Sequence, residues 1–486
     1  MKEIKHYING EYVGSASGRM FDNINPANGK LLGRVHEAGE AEVDAAVKAA
    51  RAALKGPWGK MTLDERSAIL HRVADGISAR FEEFLQAECL DTGKPRSMAG
   101  HIDIPRGAAN FKVFADLVKS VPTESFEMPT PDGTGAVNYA VRRPKGVIGV
   151  ISPWNLPLLL MTWKVGPALA CGNTVVVKPS EETPTTTAML GQVMQEAGVP
   201  DGVFNVVQGF GGNSAGAFLT AHPDVDAYTF TGETGTGELI MQAAAKGIRD
   251  ASLELGGKNA GLVFADCDMD KAIEGTLRSA FANCGQVCLG TERVYVERSI
   301  FDEFVARLKQ GAEALVIGPP ENPDSDLGPL VSLKQREKVL SYYQQAVNDG
   351  ATVVTGGGVP EMPDELAGGA WVQPTIWTGL ADDSTVVTEE IFGPCCHIRP
   401  FDTEEEAIEL ANSLPYGLAS AIWTENTSRA HRVAGQIEAG IIWVNSWFLR
   451  DLRTAFGGSK QSGTGREGGV HSLEFYTEMK NICIKL

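Results

Sequence analysis

The 486-residue chain lacks a long apolar run. Its longest, Leu156 to Trp163, falls far short of the roughly 20 residues that cross a bilayer. Positive charge is also scarce: 43 Lys and Arg face 61 Asp and Glu, a net charge of −18. That balance argues against nucleic acid or an anionic membrane as a partner, and any anionic substrate would need locally placed arginines. Residues Met1 to Gly10 lack the charged, apolar and small-residue succession of a secretory leader, so a cytoplasmic protein is expected. The 8 cysteines (Cys89, Cys171, Cys267, Cys284, Cys288, Cys395, Cys396 and Cys483) are dispersed, with neither CxxC nor HExxH. Cys284 and Cys288 have no matching second pair, and adjacent Cys395 and Cys396 suit a tetrahedral metal poorly. Neither a disulfide framework nor a metal site is expected; most cysteines read as small buried hydrophobes. Repeats and low-complexity tracts are absent too.

What is present is a globular composition, 43% hydrophobic and 21% charged, on a chain long enough for two or three domains. The short apolar runs Val147 to Ile151, Thr174 to Val177, Phe204 to Val207 and Ala227 to Phe230 read as buried strands. Helices are expected between them at Pro157 to Ala170 and Pro184 to Ala197, the second closed by Gly198. Such alternation predicts an α/β fold on a parallel sheet, with ligands beyond the carboxyl ends of its strands. The loops Ser152 to Asn155, Lys178 to Glu181, Gly209 to Gly212 and Thr231 to Gly237 should then ring one site. A second alternating block runs from Leu253 to about Gly435, with strands expected at Asn259 to Phe264, Val294 to Val296 and Thr352 to Thr355. Gly135 to Arg142 and the tail Ile482 to Leu486 look like strands of a small projecting sheet.

Five places carry possible chemistry, each with a plainer alternative. Cys288 follows Gly285-Gln286-Val287, a small-residue loop where a thiolate can reach a carbonyl, although free cysteines are usually core. Glu254, between two leucines, is either a paired structural acid or a carboxylate raised by burial into the range of a general base. Asn155, just past a strand, can donate to an oxyanion or be an ordinary loop amide. The glycine-rich turns Gly209 to Gly212 and Gly232 to Gly237 suit a pyrophosphate at a helix N-terminus, but Glu233 puts a carboxylate there. Gly212-Asn213-Ser214-Ala215-Gly216 matches the GxSxG elbow, so a serine hydrolase using Ser214, with His431 or His471, is a rival reading.

Several motifs in order are more specific than any one of them. Pro153-Trp154-Asn155, Val177-Lys178-Pro179-Ser180-Glu181, Phe230-Thr231-Gly232, Leu253-Glu254-Leu255-Gly256-Gly257-Lys258, Gly285-Gln286-Val287-Cys288 and Glu389-Glu390-Ile391-Phe392-Gly393-Pro394 together resemble the aldehyde dehydrogenase superfamily over essentially the whole chain. The resemblance implies Cys288 as nucleophile, Glu254 as general base and Asn155 as oxyanion donor. It implies NAD as cofactor, with Glu181 repelling a 2′-phosphate. Contacts to it would come from Ile151, Ser152, Trp154, Lys178, Ser180 and Glu181, then from Gly211, Phe230, Thr231, Gly232 and Glu233. Leu255, Glu390 and Phe392 would lie toward the nicotinamide.

The resemblance also implies two doubly wound parallel-sheet domains and a small β arm. Residues 1–121 and 143–252 would form a Rossmann-like NAD-binding domain, and 253–440 a catalytic domain. Residues 122–142 and 465–486 would form an oligomerisation arm giving a homodimer or homotetramer, and 441–464 would return to the cofactor domain and line the substrate tunnel. A non-enzymatic structural protein on this fold is disfavoured, because Cys288, Glu254 and Asn155 are all retained.

A finer resemblance lies in Asp103 to Phe111 and Trp447 to Arg453. It points to the branch of the family acting on hydroxy- and aminomuconic semialdehydes from meta-cleavage of aromatics. A small aldehyde bearing a carboxylate needs a cationic anchor, and Arg offers bidentate geometry. Arg106 and Arg450 are the expected anchors and Trp163 a tunnel wall, while Arg453 is read as structural.

Overall fold

Val147–Ile151 is apolar and buried at every position, as a strand covered on both faces must be. In the computed structural model, which describes residues 2–486, it lies at the centre of an eight-stranded sheet. Its parallel neighbours are Thr174–Lys178 on one side, followed by Phe204–Val206, and Ala227–Thr231 on the other, followed by Asp250–Glu254. Strand order therefore reverses at Val147–Ile151, which opens a crevice at the carboxyl edge between it and Ala227–Thr231. His6–Ile8 and Glu11–Val13 close one edge antiparallel, and Gly463–Thr464 closes the other.

A second, seven-stranded sheet runs in the order Thr352–Thr355, Thr375–Thr378, Cys395–Phe401, Thr291–Glu297, Asn259–Val263, Ala419–Trp423, Ile441–Val444. All its pairings are parallel except that of Thr352–Thr355. The chain passes from one sheet to the other through Leu255 to Lys258, so the last residue of a first-sheet strand, Glu254, lies at the junction. Strand Asp250–Glu254 thus continues through the boundary expected at 252.

Helix Pro157–Ala170 is buried along its whole length, and helix Ile104–Leu117 packs against it. Their close approach depends on Gly107, where a Cβ would stand 2.8 Å from the Leu158 side chain. Asn110 bridges the pair by donating to Leu159 O and Thr162 Oγ1, each at 3.0 Å. Arg106 and Trp163 are carried on these two helices.

The projecting sheet pairs Thr477–Lys485 with Ala136–Pro144, and the latter with Ser125–Met128. Two parts of the expected layout are corrected. Ile441–Val444 does not return to the first sheet: this β-branched and aromatic run pairs its backbone with Ala419–Trp423, and the return comes only at Gly463–Thr464. Residues 469–475 form a helix packed on Pro157–Ala170 rather than part of the arm, because Leu473 and Tyr476 are buried in the first core. No helix among the described residues is long and apolar enough to cross a membrane.

Candidate active site

The four loops expected to converge do so. They ring a cleft of about 830 Å³ at the carboxyl edge of the first sheet, within the range of cofactor sites. Ile151, Ser152, Trp154, Lys178, Ser180 and Glu181 line it, as do Gly211, Phe230, Thr231, Gly232 and Glu233. Lys178 Nζ and Glu181 form an ion pair at 3.0 Å at the mouth of one strand. Gly211 and Gly212 present bare backbone, with nothing within 4 Å of where a Cβ would stand. These features suit a dinucleotide: open backbone for phosphates and a carboxylate for ribose hydroxyls. Glu233, exposed, occupies the N-cap position of helix Thr234–Ala245 without a capping hydrogen bond from its side chain, so its charge lies at a helix end that favours an anion.

The cleft narrows into a chamber of about 150 Å³ lined by Asn155, Leu255, Cys288, Glu390 and Phe392. Cys288 reaches it from a loop with unusual backbone. After helix Met269–Phe281, Asn283, Cys284 and Gly285 all adopt left-handed conformations, with φ of 53°, 55° and 70°. A Cβ at Gly285 would stand 1.9 Å from Gly393 O, so glycine is required there.

Amides hold the loop between the two sheets. Asn155 Nδ2 donates to Gln286 O at 3.0 Å, Asn283 Nδ2 donates to Asn155 O at 3.1 Å, and Asn259 Nδ2 donates to Cys288 O at 2.7 Å. An Asn amide carries two hydrogens, so Asn155 keeps one for the chamber. Burial pushes the Cys288 thiol up to about 12; the charges of Glu390 and Glu254 add to this and Arg450 opposes it.

Glu254 is buried, with neither carboxylate oxygen hydrogen-bonded among the described residues. Burial, reinforced by the nearby charge of Glu467, pushes it well above the usual carboxylate range, against the pull of Lys164, Arg450 and Arg466. Glu467 itself is paired with buried Lys164 at 2.6 Å. Glu390, which accepts from Gly257 N at 2.9 Å, is raised to about 8 chiefly by burial. Phe392 packs edge-on against Trp154, with ring centroids 5.2 Å apart.

The arginines stand out by what they lack. Arg450 is stacked between Trp163 and Phe456, its guanidinium carbon 4.2 and 3.7 Å from the ring centroids. Its Nε and Nη2, and the Nε of Arg106, are buried without a partner among the described residues. Burial lowers Arg450 to about 9, and the like charge of Arg106 contributes next. Arg453 instead pairs with Asp451 at the surface, at 2.6 Å.

Ser214, at the head of helix Ala215–Ala221, donates to Glu37 at 2.8 Å and accepts from Phe210 N at 3.1 Å; these recorded partners include no histidine. No cluster of three or more His, Cys, Asp or Glu among the described residues is placed to hold a metal. The sequence reading passed over Gln335 and Lys338, which line both cavities from helix Leu333–Asn348, and the amides Asn259, Asn283 and Gln286. Gln286 lies in the loop before Cys288, but nothing local marks a side chain that accepts from Val331 N at 2.9 Å.

Comparison with known proteins agrees with this geometry. The model of the aldehyde dehydrogenase family matches residues 12–482. The chain is 82% identical to a 2-hydroxymuconic semialdehyde dehydrogenase of Pseudomonas sp. strain CF600, over 100% of both chains. It is 55% identical to a 2-aminomuconic 6-semialdehyde dehydrogenase of Pseudomonas sp., over 100% of this chain and 99% of the relative. Among solved structures it superposes on an NAD+ complex of aldehyde dehydrogenase from Bacillus cereus with a TM-score of 0.96 at 41% identity, covering 100% of this chain and 97% of the other. By sequence and by fold, the chain belongs to the aldehyde dehydrogenase family.

Proposed function

We propose that the protein oxidises 2-hydroxymuconic semialdehyde to the corresponding acid with NAD, through covalent catalysis on Cys288, as a step in meta-cleavage catabolism of aromatics. The observation that carries the substrate assignment is the pair Arg106 and Arg450, half-buried cations that each hold buried, unpartnered N–H groups. Such donors cost free energy unless a ligand satisfies them, and a carboxylate is the ligand that suits them. The 82% identity to a relative of that name supports the same reading.

The eight-stranded sheet is read as the cofactor-binding unit and the seven-stranded sheet as the catalytic one. Glu254 or water takes the Cys288 proton, and the thiolate adds to the aldehyde carbon. The free N–H of Asn155 and the Cys288 backbone N–H stabilise the oxyanion. NAD held in the cleft would supply a hydride acceptor, and loss of the hydrogen of the adduct carbon with its electron pair, as the oxyanion re-forms the carbonyl, leaves a thioester on Cys288. Glu254 then takes a proton from the water that cleaves this thioester and frees Cys288. Arg450, held by its two aromatic neighbours, retains the far carboxylate throughout.

NADH formation tests the reading. With fresh 2-hydroxymuconic semialdehyde we expect kcat/KM of about 10⁵ M⁻¹s⁻¹ or more, well above that for hexanal or benzaldehyde. Turnover of simple aldehydes alone would remove the substrate assignment and the roles of both arginines. The arm, which exposes Phe126, Met128, Ile484 and Leu486, is read as the surface of a homodimer or homotetramer. A monomer in sedimentation at micromolar concentration would refute that.

A further inference from the structure

Beneath the chamber lies a charged cluster to which the reading above gives no part. Lys94 is only 2% exposed, yet its ammonium has two acceptors: Nζ donates to Asp103 Oδ2 at 2.5 Å and to the backbone carbonyl of Asn155 at 2.7 Å. Asp103 is completely buried. It ends a single π-helical turn, Ala99–Asp103, that leads directly into helix Ile104–Leu117, the carrier of Arg106. Glu88, also fully buried, borders the cluster, and burial together with the charge of Asp103 pushes it up to about 8. Burial raises Asp103 as well, and Lys94 opposes it, so the cluster sets one buried cation against two buried carboxyls.

An ion pair removed from water is a poor source of net stability, since desolvation offsets most of its attraction. A π turn inserted at the head of a helix also costs regular hydrogen bonding and recurs at functional sites. Both features make sense if what they secure is position. Lys94 is the one group here bonded both to the peptide of Asn155 and to the residue that begins the Arg106 helix. On the opposite side, the same Asn155 carbonyl accepts from Asn283, while its side chain donates to Gln286. The Asn155 peptide is thus clamped between Lys94 and the nucleophile loop.

We propose that Lys94 is a positioning residue: through Asn155 O and Asp103 it holds the oxyanion donor and the Arg106 helix in one register, so that the aldehyde carbon and the far carboxylate are set by a single cation. This inference rests on the roles proposed above for Asn155 and Arg106. It needs no contact between Lys94 and substrate.

The test separates the two. Lys94→Met alone leaves Asp103 buried and unpaired, which destabilises the fold, so the main variant is Lys94→Met/Asp103→Asn, which removes both charges together. Folding is checked by circular dichroism, and active sites are counted by alkylation of Cys288. The readout is the single-turnover rate of NADH formation per active site, with 2-hydroxymuconic semialdehyde and with hexanal, in the wild-type and Asn155→Ala backgrounds. We expect a loss of about 10- to 100-fold in the rate for both aldehydes, as for a misplacement near 1 Å. KM should rise for the semialdehyde only. In the Asn155→Ala background the further rate loss should shrink below about 3-fold, because the two act as a unit.

Full rates per active site, or equal losses with and without Asn155, would overturn the positioning role while leaving Asn155 in place. If Asn155→Ala itself keeps the wild-type rate, the oxyanion assignment fails and the inference falls with it.

Discussion

At the cofactor cleft, charged groups are paired or exposed: buried Lys178 pairs with the partly exposed Glu181, and Glu233 lies in solvent at a helix N-terminus. At the inner end the pattern inverts. Glu254 has two buried, unbonded oxygens, and Arg106 and Arg450 have buried, unbonded nitrogens. Pairing was not beyond the fold's means there, because the same interior satisfies Lys164 with Glu467, Lys258 with Glu292 and Lys94 with Asp103. The contrast teaches that a paired buried charge shapes the site, whereas an unpaired one awaits a ligand or a proton.

Breaking the inner end should therefore cost far more than perturbing the cleft. Cys288→Ser should lower turnover by about 10⁴-fold or more, measured by NADH absorbance. Glu254→Gln should retain a stoichiometric burst of NADH while steady-state turnover falls by about 10²–10⁴-fold. A missing burst would place Glu254 before thioester formation. In the wild type, the deacylation rate should rise with pH, since burial raises the Glu254 carboxyl above the usual range and only its ionised form can take a proton from water. Asn155→Ala should slow the burst itself, by about 10²–10³-fold.

A smaller effect sharpens the role of Arg450. It is the cation opposing the rise of the Cys288 thiol, so Arg450→Met should leave less thiolate at any given pH. Alkylation of Cys288 by iodoacetamide at pH 8 should slow by about 3–10-fold. An unchanged pH profile would mean that the two groups do not communicate.

The smallest effect concerns stability. Glu88 ionises near 4.5 unperturbed and about 8 in the fold, so the native state holds a proton the unfolded chain releases. Stability must then decline as pH rises through that window. Glu88→Gln should remove the decline, raising Tm at pH 8.5 by about 2–4 °C relative to the wild type, with little difference at pH 4.

The cleft was legible in sequence because its logic is local. A strand buried on both faces must be an apolar run, and its carboxyl end with the turn beyond it lines the cleft, as at Ile151, Lys178 and Thr231. Lys94 was not legible. In Asp91-Thr92-Gly93-Lys94-Pro95 a lysine beside a turn reads as solvated, and only tertiary packing buries it against Asp103 and Asn155. Ile441–Val444 failed for a related reason: a β-branched run fits the edge of either sheet, and its period does not say which. Arg106 and Arg450 fell between these cases. Their residue type was suggestive, but their lack of partners is visible only in three dimensions.

The most direct test of the account is the ratio of kcat/KM for 2-hydroxymuconic semialdehyde to that for hexanal, compared between the wild type and Arg106→Met/Arg450→Met. If the unpaired cations are carboxylate anchors, the ratio should collapse by about 10²-fold or more, while hexanal turnover falls only by the loss of thiolate, about 3–10-fold. An unchanged ratio, with both substrates falling together, would contradict the claim that these arginines select the substrate.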